Sequence, residues 1–156
     1  MAVEVGGKAP DFEATTHKGG KVKLSDFRGK IVVLYFFPRA MTPGCTREGI
    51  RFNELLDEFE RLGVVVLGVS TDTPQAQSRF AERYGFRFTL LSDPDGKIAE
   101  TYGVLKKGTK RPSAQRVTFI IDREGVVRAI LRNIRPAEKH ADEALKVVRG
   151  LAGDTQ

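Results

Sequence analysis

Cys45 is the only cysteine in the chain, and its position suits a reactive thiol. It follows the apolar run 31–37 and a turn that contains Pro43 and Gly44, and a helical pattern begins at the cysteine itself. That order predicts a thiol at a helix N-terminus, where unpaired N–H groups and the helix dipole favour thiolate over thiol. A lone cysteine is more often a small buried hydrophobe. Here the surrounding residues favour a reactive thiol over a buried structural one.

Hydroxyl and cationic side chains surround Cys45 in the sequence. Thr42 and Thr46 stand on either side of it, and Arg39 and Arg47 bring positive charge to the same segment. Positive charge near a thiol favours the thiolate, which is the nucleophilic form. We therefore interpret this segment as a site of nucleophilic thiol chemistry rather than as part of a passive core.

The length and composition of the chain predict one self-supporting domain over residues 1–156. A chain of 156 residues is long enough for a substantial core, and 40% of its residues are hydrophobic while 29% are charged. A single cysteine cannot form an internal disulfide. Residues 1–6 lack a signal-peptide pattern, and no apolar run approaches the roughly 20 residues of a membrane span. These features predict a cytoplasmic protein without a membrane partner.

The chain carries a formal net charge of +6, which raises the question of a nucleic-acid partner. Its basic residues are scattered and often alternate with acidic ones, as in residues 54–61. The one dense basic stretch, residues 106–111, is short and has the composition of a loop. We therefore expect a solvated basic surface and no nucleic-acid site.

Apolar patterning predicts alternating strands and helices along the chain. Continuous β-branched and aromatic runs predict buried strands, and apolar residues at helical spacing predict amphipathic helices. Thr73 and Pro74 have the types that begin a helix, and residues 122–125 form a hairpin signal. The predicted strands are 22–24, 31–37, 64–70, 88–91, 117–121 and 126–131, and the predicted helices are 45–62, 74–84, 97–102 and 136–151.

The order of these elements predicts the fold class. A strand, a helix, a strand and a helix in succession imply a right-handed parallel βαβ unit. A β-hairpin and a C-terminal helix follow, which is typical of the thioredoxin-like α/β fold, with a central mixed sheet flanked by helices. The short strand after the turn at 17–20 belongs to an N-terminal hairpin extension. Sites in open α/β sheets form beyond the carboxyl ends of the parallel strands, and Cys45 follows such an end.

The residues around Cys45 resemble the active-site motif of a known enzyme family. The spacing Pro38-x-x-x-Thr42-x-x-Cys45-x-x-Glu48 resembles the peroxidatic motif of the peroxiredoxins. The form of residues 42–46, TPGCT, is similar to that of the Q-type branch, also called bacterioferritin comigratory proteins. Further segments match in the family's order along nearly the whole chain, at 7–12, 69–72, 91–96 and 116–122.

This resemblance implies a thiol-dependent peroxidase that reduces hydroperoxides without a metal, a haem or another cofactor. It implies that Cys45 is the peroxidatic nucleophile and becomes a sulfenic acid. Thr42 would hydrogen-bond with the thiolate and the peroxide, and Arg116 would stabilise the thiolate and polarise the substrate. Pro38 would shield the sulfur from water, and Glu48 would orient the arginine.

The chain departs from many Q-type members at one position. Such members carry a resolving cysteine five residues after the peroxidatic one, whereas this chain has Ile50 there. The departure predicts a one-cysteine mechanism in which an outside thiol, from thioredoxin, glutaredoxin or a small molecule, attacks the sulfenic acid. Ile50 suits the apolar face of the predicted helix, which favours a natural residue over an engineered replacement. Q-type relatives include monomers and dimers, so both states stay open.

Other functions fit these residues less well. A thiol–disulfide oxidoreductase of the same fold normally needs Cys-x-x-Cys, and Thr42 stands where the first cysteine would be. A non-enzymatic chaperone or interaction module is distinguished by peroxide consumption that depends on Cys45. No metal site is predicted, because His17 and His140 are far apart in the sequence and both fit a surface position.

Overall fold

Two β-branched, apolar runs form the centre of the structure, a computed structural model that describes residues 3–153. They are the parallel strands β3 (Ile31–Phe36) and β4 (Val64–Ser70). Every residue of β3 is buried, as predicted for a strand that is covered on both faces. Residues 1–2 and 154–156, the ends of the predicted domain, lie outside the described residues.

Most of the remaining elements lie close to their predicted positions, but the strand Glu13–Thr16 and the short 3₁₀ helix Leu24–Phe27 were not predicted. The other strands are β1 (Glu13–Thr16), β2 (Lys21–Lys23), β5 (Thr89–Ser92), β6 (Val117–Ile121) and β7 (Val127–Leu131). The helices are α1 (Pro43–Glu54), α2 (Leu56–Arg61), α3 (Pro74–Tyr84), α4 (Lys97–Thr101), α5 (Lys139–Leu151) and a short 3₁₀ helix (Leu24–Phe27). None of the helices within the described residues combines the length and the apolar character that crossing a bilayer requires.

The strands form one mixed sheet in the order β2-β1-β5-β4-β3-β6-β7. β3, β4 and β5 are mutually parallel neighbours, as the βαβ prediction requires. β6 pairs antiparallel with β3 and forms a hairpin with β7, and β1 with β2 forms the N-terminal hairpin beside β5. The predicted thioredoxin-like fold, with its mixed sheet, flanking helices and hairpin extension, is confirmed.

An apolar layer covers each face of the sheet. Alternate residues of β3 contribute to opposite layers: Tyr35 belongs to the layer that includes residues of α1, α2, α3 and α5, whereas Phe36 belongs to the layer that includes residues of α4 and the N-terminal segment. Tyr35 stacks on Phe52 of α1 with ring centroids 4.3 Å apart, and Phe52 is fully buried. This packing fixes α1 against the sheet, close to the end of β3 that leads to Cys45.

Two helices differ from the sequence prediction. The periodicity of 45–62 predicted a single helix, but α1 and α2 are separated at Leu55, whose φ of −92° and ψ of 1° lie outside the helical region. The last helix begins at Lys139 rather than at 136. Residues 136–138 form tighter turns, in which their carbonyls accept hydrogen bonds from the N–H groups three positions later.

The expectation that Ile50 lies on the apolar face of its helix is wrong, because this side chain is 37% exposed. Five residues of helix rotate the chain by about 140° net, so position 50 lies almost opposite Cys45. The buried residues of α1 are Cys45, Glu48, Gly49 and Phe52. Burial of the helix face therefore gives no reason for isoleucine at position 50.

Candidate active site

The loop that leaves β3 brings Cys45 into the first turn of α1. The Phe37 N–H bonds to the Val69 carbonyl at 3.0 Å, and the Ala40 N–H bonds to Oδ2 of Asp72 at 2.8 Å. Both bonds hold the loop against the end of β4. Cys45 is the third residue of α1 and is only 1% exposed, so the thiol lies at the carboxyl edge of the parallel strands, as predicted.

Arg116 reaches the thiol from the neighbouring strand. It directly precedes Val117, which pairs with Phe36 at the same end of β3. Its Nη1 lies 3.4 Å from Sγ of Cys45 and is placed to donate a hydrogen bond. Glycine at position 44 leaves room for this approach, because a Cβ on Gly44 would lie 3.0 Å from Nη2 of Arg116. A guanidinium at this distance stabilises a thiolate.

Glu48 lies one helical turn after Cys45 and shares the same guanidinium. Nη1 of Arg116 donates to Oε1 of Glu48 at 2.6 Å, and the glutamate side chain is fully buried. Burial raises the pKa of Glu48 to about 8, although the charge and the hydrogen bond of Arg116 oppose this change. The carboxyl group of Glu48 therefore holds the guanidinium beside the thiol, and the raised pKa leaves more of the arginine's charge for the thiolate.

Thr42 and Pro38 lie in the loop that precedes α1. Oγ1 of Thr42 donates to the Arg39 carbonyl at 2.7 Å, and the side chain makes no capping hydrogen bond to α1 within the described residues. Helix capping therefore does not explain this threonine. The Pro38 carbonyl accepts a hydrogen bond from Oγ of Ser113 at 3.3 Å, which ties the loop to the segment before Arg116.

The two arginines that flank the thiol in the sequence have other partners. Nη1 of Arg39 lies 3.9 Å from Oδ1 of Asp72, and Nε of Arg47 lies 3.5 Å from Oε1 of Glu138. The positive charge in contact with the thiol belongs to Arg116. The site therefore combines one buried thiol, one guanidinium and one buried carboxyl group.

Comparison with known proteins shows the family to which this chain belongs. A model of the AhpC/TSA family matches residues 5–130. The chain is 40% identical to Peroxiredoxin Bcp of Bacillus subtilis over 156 residues, which cover 97% of this chain and 99% of that protein. The chain belongs to the AhpC/TSA family.

Solved structures of peroxiredoxins confirm the predicted resemblance to the Q-type, or Bcp, branch. The crystal structure of peroxidoxin BcpB from Mycobacterium tuberculosis matches with a TM-score of 0.90 and 35% identity, covering 96% of this chain and 98% of that one. The bacterioferritin comigratory protein of Xanthomonas campestris, described for its alkyl peroxide reduction activity, matches with a TM-score of 0.84 and 33% identity. That match covers 90% of this chain and 92% of the other.

This peroxiredoxin has a buried histidine beside Glu48, although the sequence predicted a surface position for it. His140 of α5 is 1% exposed, and its Nδ1 lies 2.9 Å from Oγ1 of Thr118 and 4.0 Å from Oε2 of Glu48. Burial, together with the nearby charge of Arg116, lowers the pKa of His140 to about 4. The imidazole is therefore neutral at neutral pH and adds a polar group to the wall of the peroxiredoxin site.

The surface assignment of His140 is wrong, and helical spacing could have prevented it. His140 lies one turn before Ala144 and two turns before Val148, and both of these residues are buried. The other histidine, His17, is half-buried and accepts the Leu90 N–H at 3.1 Å. Within residues 3–153 no group of three His, Cys, Asp or Glu side chains is arranged to hold a metal ion.

Proposed function

We propose that this peroxiredoxin is a thiol-dependent peroxidase that reduces hydrogen peroxide and organic hydroperoxides to water and alcohols through Cys45. The observation that carries the proposal is the 3.4 Å approach of Nη1 of Arg116 to a thiol that is almost completely buried. The alkyl peroxide reduction activity of the Xanthomonas campestris relative supports the same substrate class for this chain.

The first step is in-line attack by the Cys45 thiolate on the terminal oxygen of the peroxide. An S–O bond forms and the O–O bond breaks, so that Cys45 becomes a sulfenic acid and the leaving oxygen takes up a proton. Negative charge develops on the leaving oxygen during this step. The remaining N–H groups of Arg116 stabilise that charge, which makes Arg116 a catalytic residue in this proposal.

Thr42 and Pro38 complete the peroxide site. The Thr42 hydroxyl gives its hydrogen to the Arg39 carbonyl, so its oxygen remains able to accept a hydrogen bond from the O–H of a hydroperoxide. The Pro38 ring has no N–H and shields the sulfur from water. Both assignments follow from the loop position of these residues and from their match to the family motif.

Glu48 is a positioning residue in this proposal. Its Oε1 accepts from the nitrogen of Arg116 that also contacts Cys45, so the carboxyl group fixes the orientation of the guanidinium. The residue itself does not contact the peroxide. Its neutral form preserves the net positive charge that the thiolate and the transition state require.

Turnover requires a second thiol from outside the chain, because Cys45 is its only cysteine. Thioredoxin, glutaredoxin or a small thiol supplies it, and the protein works as a monomer or a homodimer. Such reductants belong to a reducing compartment, so we place the protein in the cytoplasm. We further propose that residues 1–156 act as one domain, which the single seven-stranded sheet supports.

Replacement of Cys45 by serine tests this function. Serine is nearly isosteric with cysteine, so Cys45→Ser should keep the far-ultraviolet circular dichroism spectrum and the thermal transition of the parent. We expect the parent to consume hydrogen peroxide in the presence of dithiothreitol, and the variant to retain less than a few per cent of that rate. A folded variant with substantial remaining activity would show that Cys45 is not the nucleophile.

A further inference from the structure

A cationic cleft opens beside Arg116, the arginine that contacts the active-site thiol. Its volume is about 500 Å³, which lies within the range of small-molecule sites. Arg116 and His140 line this cleft, so it reaches the guanidinium that contacts the thiol. Lys106, Arg132 and Arg135 contribute three further basic side chains to its wall.

The three outer cations of the cleft lack anionic partners. Among residues 3–153, the side chains of Lys106, Arg132 and Arg135 form no ion pair and no hydrogen bond, and no acidic residue lines the cleft. Several arginines elsewhere on the surface pair with carboxylates, as where Arg51 contacts Asp142 at 2.7 Å. Unpaired cations around one concave surface raise the local concentration of anions. The cleft is therefore suited to a small anionic ligand.

We propose that the cleft binds the carboxylate of a small thiol, and that this thiol is the outside reductant of the Cys45 sulfenic acid. The inference rests on the proposed function, which requires a thiol that the chain does not contain. The 1% exposure of Cys45 favours a small reductant over the thiol of a folded protein. The planar guanidinium groups of Arg132 and Arg135 match the geometry of a carboxylate.

The bound thiol reduces the sulfenic acid in two steps. Its sulfur attacks the Cys45 sulfur, an S–S bond forms, the S–O bond breaks, and the departing hydroxide takes the thiol proton to become water. A second thiol molecule attacks the mixed disulfide and returns Cys45 to its thiol form. Two thiols are thereby oxidised to one disulfide for each sulfenic acid reduced. A hydroperoxide that carries a carboxylate could bind in the cleft in the same way as the thiol. The test therefore measures reduction of the sulfenic acid separately from oxidation of Cys45.

The rate of sulfenic acid reduction by thiols of different charge tests the proposal. Protein treated with one equivalent of hydrogen peroxide is mixed with mercaptosuccinate, mercaptoethanol or cysteamine at low salt, and rates are expressed per thiolate. The double variant Arg132→Glu/Arg135→Glu reverses the charge of the cleft. The matched control Lys18→Glu/Arg123→Glu changes the net charge equally at exposed turns elsewhere. We expect the cleft variant alone to react about tenfold more slowly with mercaptosuccinate, with less than about a twofold change for mercaptoethanol.

Succinate, which has no thiol, gives a second readout that does not depend on peroxidase activity. It should bind saturably to the Cys45→Ser protein, and the Arg132→Glu/Arg135→Glu change should abolish that binding. Equal rates for all three thiols in every variant would overturn the cleft proposal and leave the proposed function intact. The cleft proposal would also be overturned if the cleft variant slowed only the oxidation of Cys45 by a hydroperoxide that carries a carboxylate. Failure of peroxide to oxidise Cys45 at all would overturn the proposed function as well.

Discussion

One nitrogen of Arg116 serves two acidic groups. Its Nη1 lies 3.4 Å from the Cys45 sulfur and 2.6 Å from Oε1 of Glu48. Hydrogen bonds to charged groups are roughly twice as strong as those between neutral groups, so the thiolate gains most when Glu48 is protonated. The stabilisation of the Cys45 thiolate by positive charge therefore depends on the single side chain of Arg116.

Arg116→Met should slow the reaction of Cys45 with hydrogen peroxide by about a hundredfold or more, because it removes both the charge and the donors. Arg116→Lys keeps a point charge without the planar fork and should fall between parent and methionine variant. The matched control is Arg47→Met, since Arg47 is an exposed arginine that pairs with Glu138. Single-turnover rates of Cys45 oxidation, measured at a pH at which Cys45 is fully converted to thiolate, check the prediction. An unchanged rate in Arg116→Met would assign the charge to another residue.

Glu48 and His140 make opposite contributions to the dependence of stability on pH. The pKa of Glu48 is raised from 4.5 to about 8 in the folded state, so its contribution is complete below pH 4.5 and is lost as the pH rises through 8. The pKa of His140 is lowered from 6.5 to about 4, so its contribution is present above pH 6.5 and is lost as the pH falls through 4.

Glu48→Gln should remove the first of these contributions, because glutamine has nearly the same shape but does not ionise. Between pH 4.5 and 8 the free energy of unfolding of the parent should fall relative to the variant by about 4 kcal/mol. Urea unfolding at several pH values measures the difference. His140 is present in both proteins, so its contribution cancels. Parallel pH profiles would mean that Glu48 is already ionised in the folded protein.

The residues of the site differed in how far the sequence could predict them. Cys45 has a local signal, because a turn and a helix start at it, whereas the contact with Arg116 joins residues 71 positions apart and came only from the family resemblance. His140 was missed because its partners, Thr118 and Glu48, are distant in the sequence. Its polarity suggested a surface position, while its spacing on α5 indicates burial.

At the scale of elements, helix α1 holds the thiol in a position that excludes an internal disulfide with residue 50. Two Cα atoms five residues apart in an α-helix are separated by about 8.6 Å, calculated from the helix rise and radius. A disulfide cannot bridge Cα atoms more than about 7 Å apart without backbone movement. Cys45 is buried while Ile50 is exposed, so the two side chains also leave the helix in different directions.

Ile50→Cys should therefore form a disulfide with Cys45 only when the first turns of α1 unwind. After one equivalent of peroxide we expect the variant to lose two hydrogen atoms in mass and to become resistant to further oxidation. Hydrogen exchange of the α1 amides should increase in the disulfide form. Persistence of a sulfenic acid in this variant would mean that α1 does not open on the timescale of the reaction.

The boundaries of the helices were harder to predict than their existence. The apolar periodicity of 45–62 continues through the break at Leu55, and no proline or glycine marks that break. The central strands β3, β4 and β6 were predictable because their continuous apolar runs have few alternatives in a two-sided sheet. Thr73 caps α3 by accepting the Ala76 N–H at 3.2 Å, which the sequence indicated through its residue type.

At the scale of the whole molecule, one sheet assembles the site from distant parts of the chain. The antiparallel pairing of β3 with β6 brings Arg116 to Cys45, and α5 packs His140 behind Glu48. The order of the elements predicted this sheet. It did not predict the cationic cleft, because Lys106 and the segment 132–135 meet only in the folded chain.

Intact mass spectrometry after peroxide addition shows whether Cys45 forms a sulfenic acid that only an outside thiol can reduce. One equivalent of hydrogen peroxide should add one oxygen atom, and excess peroxide without thiol should add a second, giving a sulfinic acid that ordinary thiols do not reverse. Thiol added after the first equivalent should instead restore the original mass through a mixed disulfide. The Cys45→Ser protein serves as the control for oxidation elsewhere. A protein that gains no oxygen, or a one-oxygen form that resists excess peroxide without thiol, would show that Cys45 does not form a sulfenic acid of this kind.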